Sequence, residues 1–129
     1  MEYSFKKFDE KNLRLENRIT ITKKSHSIGF PTQFYNENQI SKFKYVVIYY
    51  DGEKKAIALH FTNDENEKNR FVIHHSKDGY GGSIAVRSFM KLRDIDPEKY
   101  HGRYDWKLDQ IEGVGTVYII QLVDKTQKS

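Results

Sequence analysis

Residues 44–61, KYVVIYYDGEKKAIALHF, carry the strongest structural signal in the chain. Tyr, Val and Ile fill positions 45–50, and an alternating apolar run fills positions 56–61. Both compositions favour β-strands. The Asp51-Gly52 dipeptide between the two runs favours a reversal of the chain, and residues 53–55 lengthen the turn. We therefore predict a β-hairpin over residues 44–61.

The composition extends this prediction to the whole chain. Of its 129 residues, 37% are hydrophobic and 14% are aromatic, so the core must be built from aromatic and β-branched side chains. The charged residues make up 31% and are of mixed sign, which is typical of a solvated surface rather than of a disordered chain. We predict a single domain over residues 1–129 that is mainly β, with one or two short helices.

The absence of cysteine limits the chemistry of the chain. It excludes a disulfide framework and a thiolate zinc site. The first residues lack the apolar core of a secretory signal, and no apolar run approaches the ~18 residues of a membrane span. We therefore expect a cytoplasmic protein with no membrane partner.

Two parts of the chain follow the same order of features, which predicts an internal repeat. Each begins with Arg-x-x-Ile, continues with Ser-Ile, one Phe and one Ile, and ends in two strand-like runs. We predict units at 18–61 and 70–122, a connector at 62–69 and a mobile tail at 124–129. Two such units can cover each other's apolar faces, which predicts one barrel- or sandwich-like domain. The matching segments are 18–21 with 70–73, 27–30 with 83–86, Phe34 with Phe89, Ile40 with Ile95, 45–51 with 103–109, and 56–61 with 117–122.

The first unit resembles the AbrB/MazE-type swapped-hairpin domain. The similarity lies in Arg18-Ile-Thr-Ile, Ile28-Gly-Phe-Pro31, Phe34, Ile40 and the run 45–51. Two copies in one chain resemble the tandem arrangement of the MraZ family. The resemblance implies an interleaved β-barrel, a possible homodimer, and a non-enzymatic transcriptional regulator or antitoxin-like protein that binds double-stranded DNA. Two departures from the family pattern are Tyr35, where an Arg is usual, and Val86-Arg87, where the second copy lacks the Pro.

The resemblance also implies which residues contact DNA. In the family, basic residues in and near the first strand and turn donate to phosphate oxygens, which position a protein without specifying sequence. These positions are Arg18, Lys23 and Lys24 in the first unit and Arg70, His74 and Lys77 in the second. A net charge of +4 is compatible with such a partner. No cofactor is implied.

Two other interpretations remain open. The loop from Gly79 to Ser83, near Arg87, could bind a small ligand or support an enzyme site through its backbone N–H groups. It lacks the Lys-Ser/Thr ending of a P-loop, and Ser83 lacks the context of an activated nucleophile, so no catalytic residue is predicted. The Tyr-rich run 45–50, beside Lys42 and Lys44, could stack the bases of single-stranded nucleic acid or bind a protein. The five histidines lack ligand spacing, and no metal site is predicted.

Overall fold

The hairpin predicted over residues 44–61 is formed by two seven-residue strands, Tyr45–Asp51 and Ala56–Thr62, in a computed structural model of the chain. The structure describes residues 3–5 and 16–126. The Asp51 carboxylate accepts the backbone N–H groups of Glu53 and Lys54, each at 3.1 Å. Lys55 takes the left-handed conformation, with φ of 55°. The carboxylate of Asp51 therefore closes a four-residue turn between the two strands.

The described part of the chain is mainly β, as predicted, with ten strands and three short α-helices. Two single 3₁₀ turns, at Ile40–Lys42 and Lys77–Gly79, lie between these elements. The elements in chain order are β1 Ile19–Thr22, β2 Ser27–Phe30, α1 Thr32–Glu37, β3 Tyr45–Asp51, β4 Ala56–Thr62, β5 Phe71–Val72, β6 His74–His75, β7 Gly82–Ala85, α2 Arg87–Leu92, α3 Pro97–Tyr100, β8 Gly102–Tyr104, β9 Trp106–Ile111 and β10 Gly115–Gln121.

The strands form two antiparallel five-stranded sheets that pack as a sandwich. The order is β6-β7-β2-β1-β8 in the first sheet and β5-β3-β4-β10-β9 in the second. Ile73 separates β5 from β6, and Asp105 separates β8 from β9, so each of these segments passes from one sheet to the other. The ladder is interrupted at these crossings and no single barrel closes. The sandwich is therefore confirmed, whereas the barrel, the other predicted form, is not formed.

The two predicted units interleave in both sheets. Strands β1 to β4 lie within 18–61, apart from Thr62 at the end of β4, and strands β5 to β10 lie within 70–122. In the first sheet β2 pairs with β7 and β1 pairs with β8, while in the second β4 pairs with β10 and β3 pairs with β5. Each unit thus supplies strands to both sheets, and contacts between the units hold each sheet together.

One core lies between the sheets, and α1 supplies its aromatic centre. The helix starts after Pro31, which occupies the N-cap position with φ of −61°; a proline is tolerated there because the N–H that it lacks would have no intrahelical partner. Phe34 is fully buried. Its ring lies 5.9 Å from that of Phe30, 5.3 Å from Trp106 and 5.4 Å from Tyr118. Edge-to-face contacts of this kind add to the hydrophobic gain from burial.

The connector and the tail are both tied to the sandwich. Asn63 in the connector accepts the N–H of Lys44 at 2.8 Å and donates to the carbonyl of Lys42 at 2.9 Å. In the tail, the Lys125 N–H donates to the Lys99 carbonyl at 2.6 Å. Residues 127–129 of the predicted mobile tail lie outside the described residues.

Candidate nucleic-acid interface

The outer surface of the first sheet carries one polar or small residue from each strand. Alternate residues of a strand point to opposite sides, and the isoleucines of β1, β2 and β7 are buried in the core. Their neighbours therefore face outward and form a cross-strand row about 19 Å wide, at ~4.8 Å per strand. We call this row the polar face; it consists of His74, Ser83, Gly29, Thr20 and Arg103, each paired in register with the next.

Gly29 lets the hydroxyl of Thr20 lie in the middle of the polar face. A Cβ added at Gly29 would come within 2.5 Å of Thr20 Oγ1, which is closer than side-chain atoms tolerate. Because Gly29 has no side chain, the Thr20 hydroxyl has room beside it. The polar face therefore carries the hydroxyl groups of Thr20 and Ser83, with only Gly29 between them.

The turn between β1 and β2 places two lysines on one side of the polar face, beyond the start of β2. The turn is anchored because the Val86 N–H donates to the His26 carbonyl at 2.9 Å. Lys23 Nζ lies 2.9 Å from Glu98 Oε2, and both side chains are exposed. Exposed pairs of this kind contribute little stability, so Lys23 can exchange its partner for a phosphate. Lys24 is exposed and has no charged partner within the part of the chain that the structure describes.

The loop between β6 and β7 lies on the opposite side of the polar face, beyond the end of β2. It leads into Gly82, which pairs with Phe30 at the end of β2, whereas the first turn leads into the start of β2. The Ser76 N–H donates to the Gly81 carbonyl at 2.9 Å and closes the loop. Lys77 projects from it into solvent. The two basic segments therefore lie on the two sides of the polar face, beyond opposite ends of β2.

Arg18 is largely neutralised by its neighbour Glu16. The Arg18 Nε lies 2.6 Å from Glu16 Oε1. This hydrogen bond lowers the pKa of Glu16 below its ordinary value, and the charge of Arg103 adds to the effect. Arg103 is exposed and forms part of the polar face, so it carries more free positive charge towards the surface than Arg18.

Arg70 does not join the other predicted contacts. Its guanidinium lies 4.6 Å from the centre of the Tyr45 ring, and its Nη1 donates to the Glu67 carbonyl at 2.9 Å. Tyr45 belongs to β3 of the second sheet. His74, by contrast, is exposed at one end of the polar face. The structure thus gathers Arg18, Lys23, Lys24, His74 and Lys77 around the first sheet and leaves Arg70 at the second.

The side chain next to His74 holds this strand in place. His75 Nδ1 lies 2.7 Å from the hydroxyl of Tyr35, and its Nε2 lies 2.9 Å from the carbonyl of Phe43. Both ring nitrogens are therefore engaged with the segment that contains α1. His75 is a structural residue, which leaves His74 as the histidine that can face a partner.

A hollow of about 290 Å³ lies beside the Gly79–Ser83 loop. Tyr80, Ser83 and Arg103 are among its lining residues. Arg87, which the ligand-binding interpretation also used, begins α2 and does not line the hollow. Four of the five residues of the polar face, Thr20, Gly29, Ser83 and Arg103, line the hollow, so a small ligand there would occupy the same surface.

The Tyr-rich strand contributes to a second, larger concavity. Tyr49 and Tyr50 are half-buried and line a groove of about 630 Å³ together with Trp106, Lys54 and Lys107. The strands β3, β4, β9 and β10 of the second sheet supply most of this groove. Tyr45 lies under Arg70 instead, so only part of the predicted aromatic platform is open.

Neither a metal-binding cluster nor a membrane-spanning helix is present in residues 3–5 and 16–126. No group of three or more His, Cys, Asp or Glu side chains in these residues could hold a metal ion. No helix among them is long and apolar enough to cross a membrane.

Sequence reasoning assigned no site to Arg103, Thr20 and Gly29 of the polar face, and it considered Ser83 only as part of the ligand-binding loop. The alternation of apolar and polar residues in β1 places Thr20 on the outside, and the same holds for Ser83 in β7. That signal was present in the sequence. Arg103 could be found only from the pairing of β8 with β1, which joins residues more than eighty positions apart.

Comparison with known proteins did not identify a relative. No family model, no curated protein and no solved structure matched the chain.

Proposed function

We propose that this protein binds double-stranded DNA through the polar face and the two basic segments beside it. It would act without catalysis, as a transcriptional regulator or antitoxin-like protein in the cytoplasm. The observation that carries the proposal is the placement of Lys24 and Lys77 beyond opposite ends of strand β2, on the two sides of one exposed row of hydroxyl and cationic side chains.

The chemistry of this surface suits a phosphate backbone. Lysine and arginine neutralise phosphates and release counterions, while serine and threonine hydroxyls donate to phosphate oxygens. With one phosphate for each of Lys23, Lys24, Lys77 and Arg103, the slope of log K against log salt is about −3.6. Affinity then falls about a hundredfold between roughly 50 and 200 mM salt.

The interleaving of the two units agrees with the swapped-hairpin resemblance that suggested DNA, whereas the closed barrel that the resemblance implies is not formed. The two units interleave, since β1 and β2 of the first unit pair with β8 and β7 of the second. The predicted strand-turn of the first unit is present at β1 and β2, with Lys23 and Lys24 exposed in its turn. These features support the proposal, and binding itself must be measured.

The test is a duplex-binding titration by fluorescence anisotropy at about 50 and about 200 mM salt. The variants are Lys24→Glu and Lys77→Glu, because neither side chain has a partner among the described residues and neither change should disturb folding. Each reversal should weaken binding and reduce the salt slope by about 1. Lys68→Glu is the matched control, since Lys68 is equally exposed but lies in the connector between β4 and β5.

The proposal fails if the wild-type protein shows no salt-dependent affinity for duplex DNA. It also fails if Lys68→Glu weakens binding as much as Lys24→Glu, because net charge rather than this surface would then be responsible.

The groove on the second sheet supports a second candidate function, the binding of single-stranded nucleic acid. Tyr49, Tyr50 and Trp106 supply rings for base stacking, and Lys54 and Lys107 supply positive charge. Stacking contributes about 1–3 kcal/mol per base. If this groove binds, Tyr49→Ala will weaken the affinity for a single strand at least fivefold and leave duplex affinity unchanged. An unchanged affinity for the single strand in this variant excludes the groove.

A further inference from the structure

The outer surface of the first sheet, which carries the polar face, has a local two-fold axis at its centre. Its two central strands, β2 and β7, are antiparallel, and Ile28 pairs with Ile84 at their centre. These two isoleucines occupy the same position in the two predicted units and are both fully buried. The flanking pairs exchange with each other when the units are exchanged; they are Ser27 with Ala85 and Gly29 with Ser83.

The same axis relates the remaining contacts between the units. In the second sheet the central pair is Ala58 with Ile119. At the sides, the pairing of β1 with β8 corresponds residue by residue to the pairing of β5 with β3. The pair Ile19–Tyr104 corresponds to the pair Phe71–Val46. The pair Thr20–Arg103 corresponds to the pair Val72–Tyr45.

The two basic segments are exchanged by this axis. One joins β1 to β2 and the other leads from β6 into β7, and these strands are equivalent in the two units. The two basic segments therefore have equivalent orientations relative to a bound molecule. Duplex DNA has local two-fold axes in its backbone, so such a surface can present its two basic segments to equivalent phosphates on the two strands.

The side chains do not follow the symmetry of the backbone. One segment is a four-residue turn with Lys23 and Lys24, whereas the other is a six-residue loop with Lys77 and an exposed Tyr80. Away from the centre, Arg103 corresponds to Tyr45 and Thr20 to Val72, and both of these equivalents lie on strands of the second sheet. The two halves of the surface thus differ in charge, in hydrogen-bonding groups and in apolar area.

We infer that one chain occupies one DNA site and that the two halves of this site differ in sequence. Homodimers bind palindromes because their two contact surfaces are identical. Here a single chain supplies both halves of a two-fold surface, and the halves have different chemistry, so neither a second chain nor a palindrome is needed. This inference rests on the proposed function and replaces the homodimer that the resemblance implies.

The experiment selects duplexes from a random library with the full chain at about 50 mM salt, a condition that favours phosphate contacts, and then measures the stoichiometry by native mass spectrometry. We expect one chain per duplex and a selected sequence without two-fold symmetry. Hydroxyl-radical footprints of Lys24→Glu and Lys77→Glu should each lose protection on one side of the site, and on opposite sides. Each variant should retain the protection on its unaltered side.

Each result bears on one of the two claims. If no duplex is retained above background, the proposed function itself is wrong. If duplexes are retained with two chains each, with a palindromic sequence, or with no sequence preference, DNA binding stands and the asymmetric single-chain site is wrong. Footprints in which both variants lose the same side would also overturn the inference.

Discussion

A methyl group at Gly81 tests the packing of the loop that carries Lys77. Gly81 has φ of +105°, and a Cβ at this position would lie 2.5 Å from the carbonyl oxygen of Phe30. Because that oxygen belongs to the backbone at the end of β2, it cannot move without disturbing the strand. Gly81→Ala therefore combines backbone strain with a steric overlap.

Gly79 in the same loop provides the matched control. It also has positive φ, +73°, but a Cβ there would meet nothing within 4 Å. Gly79→Ala should therefore lower the free energy of unfolding by about 1 kcal/mol, from backbone strain alone. Gly81→Ala adds an overlap of the kind that costs about 1–3 kcal/mol and a less favourable φ, so we expect a loss of about 3–4 kcal/mol.

Urea unfolding followed by the fluorescence of Trp106, the single tryptophan of the chain, measures this difference. With a slope near 2 kcal/mol per M, the midpoint falls by about 0.5 M for Gly79→Ala and by about 1.5–2 M for Gly81→Ala, with the slope unchanged. Equal midpoints for the two variants would refute the close approach of the loop to β2. A midpoint of Gly81→Ala equal to that of the wild type would refute both the strain and the overlap.

Two further variants test the core and the buried tyrosine. Phe34→Ala should lower the free energy of unfolding by about 3–5 kcal/mol, whereas Leu92→Ala, at a side chain that is 81% exposed, should change it by less than about 0.5 kcal/mol; similar losses would contradict the assignment of Phe34 to the core. Tyr104→Phe removes a hydroxyl that lies 2.6 Å from the Tyr100 carbonyl and 3.2 Å from the Val123 carbonyl and should lower stability by about 1–2 kcal/mol near neutral pH. Burial raises the pKa of Tyr104 above its ordinary value of 10.0, so its contribution is present below the unfolded pKa and is lost as pH rises through the folded pKa. Wild type should therefore lose more stability than Tyr104→Phe between about pH 9 and about pH 11, measured by urea unfolding at each pH, and parallel profiles would show that Tyr104 does not titrate differently on unfolding.

The hairpin at 44–61 was predictable because its signals are local. Strand-forming residues on both sides of a polar turn specify an antiparallel pair whatever the rest of the chain does. The choice of Asp51 as the residue that closes the turn was not predictable, since it depends on a carboxylate reaching two N–H groups of a four-residue loop.

The six predicted DNA contacts show where local reasoning stops. Arg18 and Arg70 hold the same position in the two predicted units, yet Arg18 pairs with Glu16 and Arg70 lies over Tyr45. The contact of Arg70 with Tyr45 comes from the neighbouring strand β3, whereas the partner of Arg18 lies two positions away in its own segment. A contact with the strand alongside, such as that of Arg70 with Tyr45, is not specified by the residue's own segment.

The sequence by itself determined the strands, their alternation and the resemblance between the two halves, because each of these depends on residues close together in the chain. Thr20 and Ser83 face outward for that reason. Only the tertiary structure decided that β1 lies between β2 and β8 and that β2 pairs with β7. Strand pairing joins residues far apart in the chain. It brings Arg103 and His74 into one polar face and sets Lys24 and Lys77 on the two sides of that face.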